Sequence, residues 1–70
     1  MNDLNTKCSR VIYQYMKKKH LTQQELGELI GMSQPALSRS LAGKQPWRVR
    51  DLGTLASAGV DFSHLFDEEV

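Results

Sequence analysis

Residues 33–39, Ser-Gln-Pro-Ala-Leu-Ser-Arg, combine hydrogen-bonding and cationic side chains in a segment of helical period. An amide such as Gln34 and a guanidinium such as Arg39 can pair with base edges in the major groove of B-DNA. Ser38 can donate or accept there, and Pro35 offers only apolar contact, for example to a thymine methyl group. Such contacts require a rigid element that fixes the side chains relative to one another.

A capping box predicts where the element before this segment begins. Thr22 and Glu25 have the spacing at which the hydroxyl accepts from the Glu25 amide and the carboxylate reaches back. A second helix is therefore predicted from Gln23, and Gly31 can end it in the left-handed conformation. The residues expected to face inward are Leu26, Leu29 and Ile30.

A third helix is predicted after the short Gly-Met-Ser step. Ser33 is a good N-cap and Pro35 falls in the first turn, where no backbone donor is missed. Leu37 and Leu41 lie one turn apart and face inward, and Gly43 is expected to end the helix. Helices two and three must cross steeply, and Gly27 permits the close approach. This arrangement, over about residues 22–42, is a helix-turn-helix.

The remaining chain also has helical period and shows no strand-like alternation. A first helix is predicted from Leu4 to Lys19, with an apolar stripe of Leu4, Cys8, Val11, Ile12, Tyr15 and Met16. His20 then reverses the chain. A fourth helix is predicted to bury Val49, Leu52, Leu55 and Ala56 and to stop at Gly59. Asp61 is expected to cap a last short helix that carries Phe62, Leu65 and Phe66.

Composition narrows the class of protein. The chain has 70 residues and one Cys, so one small domain without an internal disulfide, in a reducing cytoplasm, is expected. Neither a membrane span nor the apolar core of a signal peptide is present in the sequence. A net charge of +1 hides a basic body and an acidic C-terminal end over residues 61–70. Lys17, Lys18 and Lys19 fit either a solvated helix end or phosphate contacts.

The stretch TQQELGELIGMSQPALSRSLAG resembles the helix-turn-helix of the phage repressor/Cro (XRE-type) family. Gln23, the small Gly27, the turn Gly31, the apolar Leu37 and the Ser-Gln…Ser-Arg run carry the resemblance, and VDFSHLF resembles the final turn of that fold. The resemblance covers about residues 10–66. It implies a compact, all-α, five-helix lambda-repressor-like domain spanning residues 1–70.

The resemblance also implies the roles of individual residues. The base-contacting residues would be Gln34, Pro35, Ser38 and Arg39. The phosphate-contacting residues would be Gln23, Ser33, Lys44 and Arg48, and Gln23 could also brace Gln34. Two residues depart from the family pattern: Ser40 replaces a bulky apolar residue, and Arg48 replaces a Ser or Thr cap. We expect Trp47 to fill the space beside Ser40.

These features predict a sequence-specific regulator that binds double-stranded DNA. The type we expect is a small Cro-like phage repressor, located in the bacterial cytoplasm and associated with the nucleoid. We expect two copies on an inverted repeat, joined by weak or DNA-assisted contact, because one module covers few base pairs. At 70 residues we expect no domain for a small-molecule ligand. The alternative is a protein-interaction module of the same fold, an antitoxin or antirepressor, which would use the acidic end and an exposed Trp47.

Catalytic and metal chemistry find little support in the sequence. Glu25 is explained by the capping box and Glu28 by solvent, so a paired-acid site is not expected. His20 and His64 lie far apart without a supporting Cys or carboxylate pattern. Cys8 lies on the apolar stripe of the first helix and is expected in the core. We therefore predict a protein that is not an enzyme and that holds no cofactor or metal.

Overall fold

The computed structural model describes residues 3–63 and residue 65, and this part of the chain contains four helices and no strand. They are α1 (Asp3–Lys19), α2 (Gln23–Ile30), α3 (Gln34–Leu41) and α4 (Val49–Ser57). α2 packs against α3 and α4, and α1 packs against α3. The predicted all-helical fold and the starts of α2 and α3 are thus confirmed.

All four helices end with the same backbone motif. In each, a residue two or three places beyond the helix donates its amide to a carbonyl five residues earlier, as Met32 does to Gly27 at 2.9 Å and Lys44 does to Arg39 at 3.0 Å. This bond requires a left-handed residue just before it. The left-handed residues are His20, Gly31, Gly43 and Gly59. The reversals predicted at His20 and Gly31 are therefore confirmed, while α3 already ends at Leu41, two residues before Gly43.

One apolar core joins the helices. Its buried side chains come from every helix and from the segments after α3 and α4: Cys8, Ile12, Met16, Leu26, Ile30, Leu37, Leu41, Trp47, Leu55, Val60 and Leu65. Removing this surface from water is the main stabilising contribution in a domain of this size. The core therefore holds α3 by its inner face, on Leu37 and Leu41, and leaves its outer face uncovered.

Some predicted core residues are exposed. Leu29 is 52% exposed and Val49 is 87% exposed, and Leu4 and Ala56 also face solvent. At about 100° per residue, Leu29 lies at the side of the face that Leu26 and Ile30 share. Val49 is the first residue of α4, where no preceding helical turn lies beside it. The stripes predicted for α1, α2 and α4 were therefore too wide.

The predicted fifth helix is not found in the described residues. Asp61 accepts hydrogen bonds from the backbone amide and the hydroxyl of Ser63, at 2.9 and 2.6 Å, and the Leu65 amide donates to the Phe62 carbonyl at 3.2 Å. These bonds close a turn because the Asp61 side chain offers the backbone a local alternative to helix. Phe66 and His64 lie outside the described residues, as do residues 67–70.

Candidate nucleic-acid interface

The turn between α2 and α3 is built on a close backbone contact. Gly31 adopts φ 75°, which a residue without a Cβ reaches at no steric cost. A Cβ placed on Gly27 would lie 2.7 Å from the Met32 carbonyl oxygen and 3.8 Å from Leu37. The predicted close approach at Gly27 is therefore present, although the nearest atom belongs to the turn. This contact fixes where α3 begins relative to α2.

The N-terminus of α3 is capped as predicted. The Ser33 Oγ accepts the Ala36 amide at 3.3 Å, and Pro35 lies in the first turn. Leu37, Ser40 and Leu41 are buried on one side of the helix. The four predicted base-contacting residues are all exposed: Gln34, Pro35, Ser38 and Arg39. The core thus places one apolar face inward and leaves one polar face available to a ligand.

A buried polar cluster ties the C-terminal end of α3 to α1. The Ser9 Oγ donates to the Ser40 carbonyl at 3.2 Å and accepts the indole N–H of Trp47 at 2.9 Å. The Trp47 backbone amide donates to Asn5 Oδ1 at 3.2 Å. Trp47 is therefore a buried residue that reaches Ser40 through Ser9, and the exposed Trp47 surface suggested for a protein partner is wrong. Ser9 and Asn5 had no distinguishing signal in the sequence.

Ser40 has a hydroxyl that is buried in the core beside α3. Its side chain is almost fully buried, and its Oγ has no hydrogen bond within the described part of the chain. Burying an unpaired hydroxyl is unfavourable. The hydroxyl of Ser40 therefore reduces the stability of the core beside α3.

Arg39 is held by a residue that the sequence did not single out. Its Nε–H donates to the Oε1 of Gln45 at 3.3 Å, across the loop that follows α3. Gln45 is partly buried, whereas Arg39 is exposed. Within the described residues, the two terminal amino groups of Arg39 make no hydrogen bond. Together they can make a paired contact with the O6 and N7 of a guanine.

The four predicted phosphate-contacting residues lie at the ends of helices. Gln23 is partly buried at the start of α2, and Lys44 is exposed beyond α3. The Ser33 hydroxyl accepts the capping bond and retains its own proton to donate. No hydrogen bond joins Gln23 to Gln34 in the part of the chain that the structure describes, so the predicted brace is not seen.

Arg48 lies just before α4 and makes an ion pair. It is the N-cap residue, and its side chain makes no capping hydrogen bond. Its Nε lies 3.6 Å from the Asp51 Oδ2, and its side chain is 60% exposed while that of Asp51 is 10% exposed. The negative carboxylate of Asp51 lies in the first turn of α4, where it interacts favourably with the positive end of the helix dipole. Asp51 thus anchors one side of the Arg48 guanidinium and leaves the rest exposed.

The acidic and thiol side chains considered for catalysis have structural roles. Glu25 accepts the Thr22 amide at 2.8 Å and the Thr22 hydroxyl accepts the Glu25 amide at 3.1 Å, which confirms the capping box. Cys8 is buried as predicted, and burial raises the pKa of its thiol, which disfavours the nucleophilic thiolate. Among residues 3–63 and 65, no group of three His, Cys, Asp or Glu side chains could hold a metal ion.

Comparison with known proteins agrees with this geometry. The family described as helix-turn-helix matches residues 12–58, which include α2, the turn, α3 and α4. No curated protein and no solved structure matches the chain. None of the helices in the described residues has the length and hydropathy needed to cross a bilayer.

Proposed function

The chain belongs to the XRE-type helix-turn-helix family, and from that premise we propose that it is a transcriptional regulator that reads an operator through the major groove. The observation that carries the proposal is the exposed face of α3. Gln34, Pro35, Ser38 and Arg39 all face solvent there, while Leu37 and Leu41 fix the opposite side in the core. A helix face that is only solvated would not require these four side chains on a rigid, capped helix.

The side chains of α3 match the chemistry of base edges. The Arg39 guanidinium is suited to the O6 and N7 of guanine, and the Gln34 amide to the N6 and N7 of adenine. Ser38 can bond with any base edge, and Pro35 can contact a thymine methyl group. α3 has eight residues, so one copy reaches only a few base pairs.

The phosphate contacts come from the ends of neighbouring elements. We assign Gln23, Ser33, Lys44 and Arg48 to the DNA backbone, where such contacts fix the orientation of α3 without reading sequence. Two of these residues, Lys44 and Arg48, are cations and are exposed. Lys17, Lys18 and Lys19 end α1 and are exposed as well, and they would add only long-range attraction in this assignment.

We further propose that the protein is a small repressor of the phage Cro type. It would act in the host cytoplasm, at the nucleoid, by occupying its operator. A single module contacts too little DNA to select a site in a genome, so two copies on an inverted repeat are proposed. No cofactor or small-molecule ligand enters this mechanism.

Selection of bound sequences from random double-stranded DNA tests the proposal. We expect a pair of inverted half-sites with guanine at one position, and a gel shift on this sequence that survives an excess of unrelated DNA. A Gln34→Ala, Arg39→Ala double variant is the matched control, since both side chains are exposed and their removal leaves the core intact. Recovery of no common sequence by the folded wild-type protein would contradict the proposal.

A further inference from the structure

We propose that Gln45 is a positioning residue that sets the geometry with which Arg39 reads its base. This inference rests on the proposed function. Its starting observation is the hydrogen bond from the Arg39 Nε–H to the Gln45 Oε1, at 3.3 Å, between the last turn of α3 and the loop beyond it. Gln45 acts through the guanidinium of Arg39 and itself contacts no base.

Arg39 needs an external support because, among the described residues, its side chain makes no hydrogen bond or ion pair other than the one to Gln45. It is exposed near the end of α3, and an unrestrained arginine samples many rotamers. Ordering such a side chain on binding costs conformational entropy, which lowers the affinity for DNA. A bond that already orders the guanidinium in the unbound protein removes part of that penalty.

The loop that carries Gln45 is well placed to give this support. At its start, the Lys44 amide donates to the Arg39 carbonyl at 3.0 Å, so the loop folds back onto the last turn of α3. At its end, Trp47 is buried, and its backbone and indole N–H groups donate to Asn5 and Ser9. Gln45 lies between these two anchored points and is partly buried. Its amide is therefore attached to a fixed backbone.

The choice of the Nε atom has a chemical consequence. A guanidinium can approach the guanine O6 and N7 end-on, with its two terminal amino groups, or side-on, with Nε and one amino group. The Nε–H of Arg39 already donates to Gln45. Only the end-on approach therefore keeps all three guanidinium nitrogens hydrogen-bonded, with Nε on Gln45 and both terminal amino groups on the guanine. Gln45 thus favours a bidentate contact in one orientation, which raises the discrimination for guanine over other bases.

A double-mutant cycle on DNA tests the role. Binding of the selected site, and of the same site with the Arg39 guanine replaced, is measured for wild type, Gln45→Ala, Arg39→Ala and the double variant. We expect Gln45→Ala to reduce the preference for guanine roughly threefold to tenfold, the net effect of one ordinary intramolecular hydrogen bond. In the Arg39→Ala background, Gln45→Ala should change nothing further. Equal losses in both backgrounds would overturn the inference, because Gln45 would then act independently of Arg39.

A conservative variant separates positioning from folding. Gln45→Glu retains an acceptor for the Arg39 Nε–H and should keep the preference for guanine, while its negative charge weakens binding to all DNA. A loss of preference in Gln45→Glu equal to that in Gln45→Ala would count against the inference.

A measurement without DNA tests the contact itself. In the NMR spectrum of the unbound protein, the Arg39 Nε–H should exchange slowly with solvent and should exchange faster in Gln45→Ala. Lys44→Ala, which removes an exposed neighbour, should leave it unchanged. An identical exchange rate in wild type and Gln45→Ala would overturn the inference. A wild-type protein with no sequence preference would overturn the proposed function and the specificity role together, whereas additive losses at a selected site would overturn only the role of Gln45.

Discussion

Arg39 and Lys44 are neighbouring cations to which we assign different parts of the DNA: a base for Arg39 and a phosphate for Lys44. Arg39 projects from the outer face of α3 with its terminal amino groups unbonded among the described residues, and Lys44 is exposed in the loop beyond the helix. We predict that Arg39→Ala weakens binding to the selected site by about 1–3 kcal/mol and relaxes the preference at one base position. Lys44→Ala should weaken binding to all sequences alike.

Titrations of both variants against the selected site and random DNA measure the difference. Lys44→Ala is the matched control, since each change removes one positive charge from an exposed side chain. An equal loss for Arg39→Ala on both DNAs would show that Arg39 contacts phosphate instead of a base.

Ser9 and Ser40 are buried serines in one cluster, and we predict opposite effects of replacing them. Ser9→Ala leaves the buried indole N–H of Trp47 without an acceptor and should destabilise the fold by about 1–3 kcal/mol. Ser40→Ala removes a hydroxyl that has no hydrogen-bond partner among the described residues and places a better helix former in α3, so the free energy of unfolding should rise by up to about 1 kcal/mol.

Urea unfolding of wild type and of the two variants measures whether the free energy of unfolding falls in Ser9→Ala and rises in Ser40→Ala. The Ser40 carbonyl that binds Ser9 remains in Ser40→Ala, so the cluster itself is preserved. A clear loss of stability in Ser40→Ala would mean that its hydroxyl has a partner.

Some of these residue roles were predictable from the sequence and others were not. A capping pattern such as Thr22 and Glu25 depends on residues three apart, so the sequence contains all of it. The contact of Ser9 with Trp47 joins residues 38 apart and depends on how α1 crosses α3. Gln45 was missed for a similar reason, because its bond depends on the path of the loop after α3.

At the scale of elements, the joint between α2 and α3 rests on the absence of one Cβ. We predict that Gly27→Ala destabilises the fold by about 1–3 kcal/mol, because the new Cβ would lie 2.7 Å from the Met32 carbonyl and the backbone must shift. Gly53 is the matched control within α4, since a Cβ there meets no atom within 4 Å. Gly53→Ala should raise stability by about 1 kcal/mol through helix propensity.

Thermal unfolding of both glycine variants checks the prediction. Because the turn also sets where α3 begins, Gly27→Ala should lower DNA affinity under conditions in which the variant is still folded. Equal stabilisation by both substitutions would show that the turn can move without cost.

Helix boundaries were more predictable than helix faces. Caps and left-handed residues are local, so the starts at Gln23 and Gln34 and the reversals at His20 and Gly31 could be predicted. Burial depends on which neighbours cover a helix, and the described chain leaves Leu29 half exposed and Val49 almost fully exposed. The turn at Asp61 shows the same limit, because a capping residue marks a possible start without ensuring that a helix follows.

At the scale of the whole molecule, the charge pattern sets how binding depends on salt. Two of the assigned phosphate contacts in each copy, Lys44 and Arg48, are cationic. Two copies would neutralise four phosphates, so the logarithm of the binding constant should fall with the logarithm of salt at a slope of about −3.6. Lys44→Ala should reduce the magnitude of this slope by about 2 for the pair.

Footprinting across a salt series tests both the slope and the number of copies. We expect two protected half-sites about 34 Å apart on one face of the duplex, filled cooperatively. Protection of one half-site, occupied without cooperativity, would contradict binding as two copies. The prediction of two copies comes from the small area of DNA that one module covers, because helical periodicity marks core residues and does not mark a contact surface between copies.

The buried indole of Trp47, hydrogen-bonded to Ser9, is an internal fluorescent probe of the fold. Trp47 is the only tryptophan of the chain, so its fluorescence has a single source. Its indole is buried and bonded in the folded state, and unfolding exposes it to water, which moves its emission to longer wavelength. The indole is bonded to α1 and has no bond to the four exposed side chains of α3. A change in emission when DNA is added would therefore report movement of α3 against α1, and an unchanged spectrum would indicate that the domain binds as a rigid body.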